Sequence, residues 1–512
     1  MNVRLLAPAL VVTALIAGGT FAAASPTAVA AVAAKATQQW SSPTLLWSGP
    51  SGSVRTSDLQ QVVDSHGGVT LAWTVVTKGT SRVMAARRGA GGWSKPKAVF
   101  EAKGVGTYVT VSMAAGPRQE VVIAAAAEGP AGVRVSATRL AAGRWSAVQI
   151  LGDYPDANSK VRHVYGLSTI ADNSGVCVLW QVQPNDSHAT TFVARGLPSA
   201  SGEWSDPTIL DNEATGSFSV VRDGAATIRA AWQHGADVVS VQGSTTGWGP
   251  REILGPSGDV RDSPHAYLAT EAAADVDGTV LVTWAQPDYG DADMACPANL
   301  AALHTAGGWG PATALPVLDS SSHCLASLNP FAGGGLAPTV VGFTADRWAV
   351  YSAATVWSGA AWGAVQQTQG QPYATGPTLL ALDSRHDYSK PAPGADADHQ
   401  WLTSSTLSDG GWSAPVRVTD PAGGWVGDYE GTTAPDGSYV VIYGKRDPWR
   451  SVAVWSVTYA HGAWSKARVV APSRKAAKGS DGVWLAPTVA APDGRLTAAW
   501  VVDDTVFAST SR

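Results

Sequence analysis

Ionisable side chains are concentrated in a few polar stretches between apolar runs. The basic members of these stretches are Arg162, His163, Arg261, His265 and Arg446. Such side chains donate hydrogen bonds to a ligand, and histidine also binds metals. The His-x-Tyr phrases that begin at His163 and His265 fall at equivalent places in two repeats described below. Either a shared role in binding a metal or ligand, or common descent of the repeats, explains this echo.

Aromatic residues follow most copies of a tryptophan motif by 11 to 22 residues. They are Tyr108, Tyr165, Phe218, Tyr267, Phe331, Tyr373, Tyr429 and Trp484. Two interpretations stay open. Aromatic faces bordered by Asp, Arg and His suit a sugar, whose C–H faces stack on rings while its hydroxyls form hydrogen bonds; alternatively, one ring per repeat packs between repeats. The predicted ligand-binding set is these aromatic residues, Phe331 excepted, with the five basic residues above.

Acidic residues give a weaker signal. Asp288, Asp291 and Asp293 have the spacing of calcium ligands, because hard cations prefer clustered carboxylates. The run lacks the glycine and distal glutamate of an EF-hand loop, so a solvated acidic loop is the default interpretation. The sequence also contains no nucleophile-elbow, zinc-protease, Walker or dinucleotide-binding signature. We therefore expect no metal and no cofactor, and we assign no catalytic residue.

The three cysteines divide into two kinds. Cys177 lies within the apolar run 176–180, where a small buried hydrophobic side chain is expected. Cys296 and Cys324 lie in loop-like sequence, and in an oxidising compartment they are the natural disulfide pair. The bond would tie two loops together, either to fix the acidic segment for recognition or simply to staple a long loop.

A sequence repeat predicts the strands that position these residues. The phrase Gly-Gly-Trp-Ser-x-Pro and its variants recur with a mean spacing of about 53 residues. Its tryptophans are Trp40, Trp93, Trp145, Trp204, Trp248, Trp309, Trp362, Trp412 and Trp464. Upstream of most copies, an Asp-Gly or Gly-Gly turn precedes an alternating apolar strand that often ends in Trp, as in 67–73, 277–284 and 493–500. Each repeat thus predicts four strands, a to d.

Regular short strands with Gly and aromatic motifs in each unit predict an all-β fold, a single β-propeller of eight or nine four-stranded blades. The repeat before Trp412 is the weak one, because the polar segment 383–391 replaces the expected apolar strand. The segment 40–48 resembles a d strand without its a–c strands, and 482–512 supplies a–c without d. Their pairing would close the propeller and cover an edge strand. The predicted units are roughly 57–100, 107–151, 163–210, 215–255, 267–316, 328–369, 373–420, 425–471 and 482–512 with 40–48.

The connections predict which face carries function. If the short a–b and c–d turns lie on one face, the b–c and d–a connections lie on the other. These connections are predicted to be long, varied and polar, and binding residues tend to occupy such loops above a rigid scaffold.

The N-terminus and the charge limit the setting. Residues 1–30 have the charged, apolar and Ala-x-Ala regions of a secretory signal peptide, which predicts a secreted, extracellular protein. The apolar stretch is too short to span a membrane, and no later segment is long enough. A formal charge of −5 without basic clusters argues against nucleic acid as a partner.

The phrase Ser408-Asp409-Gly410-Gly411-Trp412-Ser413 resembles the Asp-box repeat of sialidase-like propellers, and the rhythm covers the whole chain after residue 30. The other copies lack the aspartate, and the Phe-Arg-Ile-Pro phrase of sialidases is absent. The resemblance implies the propeller fold and, as an alternative function, an exo-glycosidase. Such an enzyme would use Arg162, Arg261 and Arg446 for a substrate carboxylate and Tyr429-Glu430 as a tyrosine and acid, although neighbours on a strand face opposite sides.

The sequence therefore favours a secreted, lectin-like binding propeller over an enzyme. The expected partner is carbohydrate, with a cell-surface protein as the next choice, and we expect a monomer. If the protein is an enzyme, a glycoside hydrolase is the expected class.

Overall fold

Antiparallel strands joined in up-and-down order build the polypeptide in the computed structural model, which has no helix among the described residues. The described residues are 39–50, 52–104, 108–129, 132–155, 161–184, 189–223, 227–257, 270–274, 278–286, 298–315, 325–330, 336–343, 350–355, 357, 362, 366–369, 371–374, 378–385, 399–408, 411–419, 425–446, 451–477 and 482–511. The chain divides into residues 1–39, of which only Gln39 is described, and 40–512, which carries all of the strands described. No helix in the described ranges is long and apolar enough to cross a membrane.

Four strands recur in the same order, each hydrogen-bonded to the next, and we call each set a meander. In many meanders the fourth strand is split at the tryptophan motif into a short and a longer piece. The chain begins with β1 (Thr44–Ser48), then meander 1 with β2 (Val54–Val63), β3 (Val69–Thr77), β4 (Thr80–Gly89), β5 (Gly92–Trp93) and β6 (Lys97–Lys103), then meander 2 with β7 (Tyr108–Ala115), β8 (Val121–Gly129), β9 (Gly132–Ala141), β10 (Arg144–Trp145) and β11 (Gln149–Pro155).

Meanders 3 and 4 form one seven-stranded sheet, because the last strand of meander 3 continues as the first strand of meander 4. The strands are β12 (Val161–Ala171), β13 (Gly175–Pro184), β14 (Thr190–Pro198), the shared β15 (Thr208–Asp223), β16 (Thr227–His234), β17 (Asp237–Ser244) and β18 (Gly247–Pro256). A bulge between Thr215 and Phe218 lies just after Ala214, where β15 changes from pairing with β14 to pairing with β16.

Five further meanders complete the chain. Meander 5 contains β19 (Thr270–Ala274), β20 (Val280–Gln286), β21 (Ala298–Thr305), β22 (Gly308–Trp309) and β23 (Thr313–Ala314), and meander 6 contains β24 (Leu325–Pro330), β25 (Leu336–Phe343), β26 (Val350–Ala354) and β27 (Gln366–Gln369). Meander 7 contains β28 (Gln371–Ala374), β29 (Thr378–Arg385), β30 (His399–Ser408), β31 (Gly411–Trp412) and β32 (Val416–Arg417), and meander 8 contains β33 (Trp425–Thr433), β34 (Tyr439–Arg446), β35 (Ser451–Ala460), β36 (Ala463–Trp464) and β37 (Arg468–Lys475). Meander 9 contains β38 (Trp484–Leu485), β39 (Val489–Ala490), β40 (Leu496–Val502), β41 (Thr505–Thr510) and β1.

The core is a series of apolar layers between consecutive meanders. Along β8, Val121 and Ile123 pack in the layer shared with meander 1, whereas Val122 and Ala124 pack in the layer shared with meander 3. Because side chains alternate between the two faces of a strand, a strand buried on both faces must be apolar throughout. This requirement explains the runs of Val, Ala, Ile and Leu in the second strands.

A tryptophan near the end of many second strands ties its meander to the preceding one. The indole Nε1 of Trp180 donates to the Tyr154 hydroxyl at 3.0 Å, and that of Trp284 donates to the carbonyl of Pro256 at 3.0 Å. Both acceptors belong to the fourth strand of the preceding meander. Trp180 and Trp284 are therefore large buried rings whose single polar atom has a partner in the preceding meander.

The Trp-Ser phrase fastens the turn between the third and fourth strands. The backbone nitrogen of Ser465 donates to the Thr458 carbonyl at 2.8 Å, and the Ser465 hydroxyl accepts from the Thr458 nitrogen at 3.0 Å. The same pair of bonds recurs at Ser94, Ser146, Ser205 and Ser413. Gly310, which replaces the serine in meander 5, keeps the backbone bond to Leu303. The repeated serine thus has a structural explanation.

The two ends of the described chain pair with each other, as predicted. Thr44 lies opposite Ala508, Leu45 opposite Phe507, and Trp47 opposite Val506 in an antiparallel register. The Ser41 nitrogen also donates to the Thr510 carbonyl at 2.9 Å, and Trp40 Nε1 donates to Ser456 of meander 8 at 3.0 Å. Meander 9 therefore takes its fourth strand from the start of the sequence.

First strands contact one another in chain order. The contacting pairs are β2 with β7, β7 with β12, β12 with β15, β15 with β19, β19 with β24, β24 with β28, β33 with β38, and β39 with β2. Between meanders 7 and 8 the contact runs from β30 to β33. An apolar layer that includes Leu71 and Trp73 of meander 1 and Val501 and Val506 of meander 9 joins the last meander to the first.

Two sequence expectations need correction. Not all connections between the second and third strands are long, since Lys78-Gly79, Gly235-Ala236 and Asp503-Asp504 are two-residue turns. The second strand of meander 7 is also present, as Thr378–Arg385, because it begins upstream of the polar segment that is predicted to replace it. Most of that polar segment, from residue 386 onward, lies outside the described residues.

Removal of residues 40–48 tests the terminal pairing. The truncated protein loses the strand beside β41 and the burial of Leu46, worth about 1.5–3 kcal/mol by itself. We expect a lower thermal midpoint by calorimetry and aggregation through the exposed edge, seen by light scattering. A variant that lacks only residues 31–38 is the control. Equal melting of the two truncated proteins would contradict the pairing.

Candidate functional site

Exposed charged and aromatic side chains gather where the first strands of neighbouring meanders begin. Tyr108, the first residue of β7, is 43% exposed, and the Arg55 guanidinium lies 4.4 Å from its ring centroid. Arg55 is itself at the start of β2, so this cation–π contact joins meanders 1 and 2. One face of the tyrosine ring is thereby held against a positive charge.

Glu128 extends this group to meander 3. It lies directly across the strand pair from Tyr108. Its carboxylate accepts a hydrogen bond from the Val164 nitrogen at 2.6 Å and lies 3.2 Å from Nδ1 of the exposed His163. We call Arg55, Tyr108, Glu128 and His163 the Tyr108 cluster. It carries a cation, a carboxylate, an imidazole and an aromatic ring on one stretch of surface.

A second group lies on meanders 8 and 9. Trp484, the first residue of β38, is 44% exposed. Beside it, the Asp428 carboxylate accepts from the Leu485 nitrogen at 2.7 Å and from the Tyr429 nitrogen at 2.9 Å. Glu430 lies two residues further along β33, close enough for the charge of Asp428 to act on it. We call Asp428, Glu430 and Trp484 the Trp484 cluster.

Burial perturbs both acids of the Trp484 cluster. Desolvation raises the pKa of Asp428, although its two backbone hydrogen bonds oppose the rise. Desolvation, with the neighbouring charge of Asp428, raises the pKa of Glu430 to about 7. Glu430 is therefore the carboxyl group that exchanges its proton near neutral pH, whereas Asp428 is fixed by backbone donors.

Arg446 lies near this cluster by strand alternation. A Cβ atom on Gly444 would stand 2.7 Å from Val483 Cβ, so residue 444 faces meander 9. Arg446, two residues on, faces the same way and is half-buried at the end of β34. It would approach an anionic group on a ligand at Trp484.

Irregular first strands create these positions. Register shifts lie between Arg55 and Gln60 in β2, between Val426 and Tyr429 in β33, and at two points in β12. A bulge redirects side chains relative to the regular alternation, and bulges are frequent beside functional sites. The bulge in β33 is what brings Asp428 against the backbone of meander 9.

The turn Asp503-Asp504 lies between the two clusters. The Asp504 carboxylate accepts from the nitrogens of Gly52 and Val54 at 2.6 and 2.7 Å, which fixes the chain just before Arg55. The Asp503 carboxylate accepts from the Ala477 nitrogen of the segment after β37 at 3.0 Å. One turn of meander 9 therefore holds the neighbouring segments of meanders 1 and 8.

The residues predicted for ligand binding have different fates. Tyr108 and Trp484 are exposed, as is His163, whereas Tyr429 is buried between meanders 7 and 8. Phe218 packs on Phe192 with ring centroids 4.5 Å apart. Burial of Tyr429 and packing of the partly buried Phe218 against an apolar layer favour the packing interpretation for these two rings. Arg162, Tyr165 and Tyr373 occupy strand positions, while Tyr267, Phe331, Arg261 and His265 lie outside the described residues.

The remaining sequence predictions divide similarly. Cys177 is a buried free thiol, as expected, in the apolar layer between meanders 3 and 4. Cys296 and Cys324 lie outside the described residues, so their disulfide stays a prediction, and the acidic run Asp288, Asp291 and Asp293 also lies outside them. Within the described part of the chain, no three His, Cys, Asp or Glu side chains are placed to hold a metal ion.

The predicted ligand-binding set does not include Arg55, Glu128 or Asp428. Glu128 is the first charged residue after the apolar run 121–127, and such a position at the end of a buried strand was a usable signal. Arg55 and Asp428 gave no comparable signal, because their contacts depend on strand irregularities and on neighbouring meanders.

Comparisons with known proteins show only distant similarity. No protein-family model and no curated protein matches the sequence. Among solved structures, the chain is similar to a mutant of NanB sialidase from Streptococcus pneumoniae, with 8% identity over 80% of this chain and 68% of that chain and a TM-score of 0.36. It is also similar to α-L-arabinanase from Penicillium chrysogenum (10% identity, 75% and 99% covered, TM-score 0.35) and to polysaccharide lyase Uly1 (10%, 75% and 86%, TM-score 0.41). At these TM-scores the similarities support no conclusion about activity.

Substitution of Glu430 tests its electrostatic setting. Because its pKa is raised to about 7, the folded protein binds this proton more tightly than the unfolded chain. The resulting stabilisation is complete below about pH 4.3 and is lost as the pH rises to about 7. The parent should therefore lose up to about 3 kcal/mol of its free energy of unfolding over this pH range, and Glu430→Gln should not. At pH 8 the variant should accordingly melt at a higher temperature than the parent. Denaturant midpoints at pH 4.5 and pH 8 measure this effect, with the exposed Glu203→Gln as the matched control. Parallel profiles for the parent and Glu430→Gln would contradict the assignment.

Proposed function

We propose that this protein is a secreted β-propeller that binds carbohydrate on the face formed by the Tyr108 and Trp484 clusters. The observation that carries the proposal is the pair of exposed rings, Tyr108 and Trp484, at the starts of the first strands of meanders 2 and 9. Each ring is accompanied by charged side chains that can take hydrogen bonds from, or donate them to, hydroxyl groups.

The chemistry of the two clusters suits sugars better than an apolar ligand. A sugar ring offers C–H groups to an aromatic face and hydroxyls to its periphery. Tyr108 has Arg55 against its ring and Glu128 across the strand pair, and Trp484 has Asp428 beside its backbone. Aromatic side chains carry large contact area at little cost in conformational entropy, which makes them suitable anchors.

The propeller itself is part of the proposal. Supporting it are the repeated meander, the ordered contacts of first strands and the apolar layer between meanders 9 and 1. In a closed ring of nine blades, meanders 8, 9, 1, 2 and 3 are successive neighbours. Both clusters would then lie on one arc at the mouth of the central channel, in a monomer. Export through residues 1–30 completes the proposal.

A glycoside hydrolase is the second candidate, and one observation favours it. Asp428 and Glu430 are two neighbouring carboxyl groups on β33, with the pKa of Glu430 raised to about 7. Retaining and inverting glycosidases use two carboxyl groups, one of which is protonated at working pH. Glu430 would be the acid, and Asp428 the second carboxylate. Tyr429 faces the opposite side, in the layer with meander 7, so it would not share their site.

Glycan arrays with protein purified after residue 30 test the first candidate. We expect binding to a defined glycan and at least a tenfold loss of affinity in Tyr108→Ala and Trp484→Ala, measured by calorimetry, because each ring supplies about 1.4 kcal/mol or more. Ile253→Ala removes an apolar side chain that is exposed on a fourth strand and serves as the control. Blank arrays, or ring variants that bind like the control, would contradict the proposed surface.

Hydrolysis assays with a panel of fluorogenic glycosides distinguish the second candidate. An enzyme should release the fluorophore with a rate that falls as the pH rises through 7, because its acid loses the proton. Glu430→Gln should abolish that activity. Detectable turnover in the parent with blank arrays would reverse the ranking of the two candidates, whereas turnover that persists in Glu430→Gln would remove Glu430 as the acid.

A further inference from the structure

A pair of arginines lies at the end of the meanders opposite the Tyr108 cluster. Arg88 is near the end of β4, and Arg495 is in the turn that precedes β40. Along β4, Met84 and Ala86 pack against meander 9, so strand alternation directs Arg88 toward meander 9 as well. Arg495 reaches from meander 9 toward meander 1, because its Nη2 would lie 3.9 Å from a Cβ atom on Gly67.

The carboxylate of Asp493, beside the two arginines, already has hydrogen-bond partners. Asp493 accepts Nε and Nη2 of Arg495 at 2.6 and 2.5 Å and also the Arg495 backbone nitrogen at 3.1 Å. The Arg88 guanidinium makes no hydrogen bond or ion pair with any described residue, whereas its backbone pairs within the sheet. Two guanidinium groups thus share one carboxylate, which leaves a net positive charge between the first and last meanders.

The half-buried position makes this charge costly. Desolvation lowers the pKa of Arg88, and the positive charge of Arg495 lowers it further, with only partial opposition from Asp493. A cation that is partly withdrawn from water and repelled by a like charge gains from any anion placed beside it. Guanidinium groups present planar, paired donors that match the oxygens of sulfate and phosphate.

We propose that Arg88 and Arg495 bind a tetrahedral oxyanion, the sulfate or phosphate group of a ligand. Arg88 supplies the free guanidinium donors, and Arg495, held by Asp493, supplies the second positive charge. A ligand held here joins meander 1 to meander 9 at the end away from Tyr108. The site is independent of the proposed glycan surface, since neither of its arginines belongs to that surface.

Titration calorimetry of the full chain after residue 30 with sodium sulfate and sodium phosphate, against sodium chloride at equal ionic strength, tests the site. We expect saturable binding of sulfate or phosphate, with at least a tenfold loss of affinity in Arg88→Gln. Arg82→Gln is the matched control, because Arg82 lies on the same strand and pairs with Glu101 at 2.8 Å. A sulfated polysaccharide and its desulfated form distinguish a polymeric source from the free anion: tighter binding of the sulfated polymer than of sulfate indicates a polymer site, and equal binding indicates a free-anion site.

Melting temperatures separate binding from a structural role. In chloride, Arg88→Gln should melt at or above the parent temperature, because the substitution removes a repelled charge. In sulfate, the melting temperature of the parent should rise by more than that of Arg88→Gln. Equal destabilisation of Arg88→Gln in both salts, or absence of sulfate and phosphate binding beyond the chloride background, would overturn the proposal.

Discussion

The antiparallel pairing of Thr44–Ser48 with Thr505–Thr510 is the interaction on which the other features depend. Without it, meander 9 would lack its fourth strand, and the layer that contains Leu46, Trp73 and Val501 would lose part of one wall. The same meander carries Asp504, whose carboxylate fixes the nitrogens of Gly52 and Val54 ahead of Arg55. The placement of Arg55 on Tyr108, and hence the shape of the Tyr108 cluster, follows from how the two termini meet.

Much of the fold was predictable because each meander obeys local rules. A second strand buried on both faces must be apolar throughout, Asp-Gly and Gly-Gly turns supply the positive φ of a tight hairpin, and Trp-Ser marks the turn before the fourth strand. Gly494, with φ of 85°, is one such turn position. The pairing of the ends was predictable for the same reason, since each end lacked the strands that the other supplied. The second strand of meander 7 was not predictable in this way, because it ends in polar residues such as Asp383 and Arg385.

The candidate site was predictable only in part. The once-per-repeat spacing found Tyr108 and Trp484, but it also selected Tyr429 and Phe218, whose rings fill apolar layers. Spacing locates the start of a first strand, whereas bulges within that strand decide which side chains reach the surface. The partners of Asp428 and Glu128 lie in the next meander along, so their roles follow from packing between repeats, which no single repeat encodes. The sequence alone therefore does not predict which charged side chains meet in the two clusters.

Hydrogen exchange of the intact protein tests the terminal pairing most directly. Amides that are hydrogen-bonded within a cooperatively folded sheet exchange only when that sheet opens. If β1 completes meander 9, peptides that cover residues 44–48 should exchange as slowly as those that cover 496–502 in the middle of the same sheet. Rapid deuteration of 44–48 while 496–502 stays protected would contradict the account.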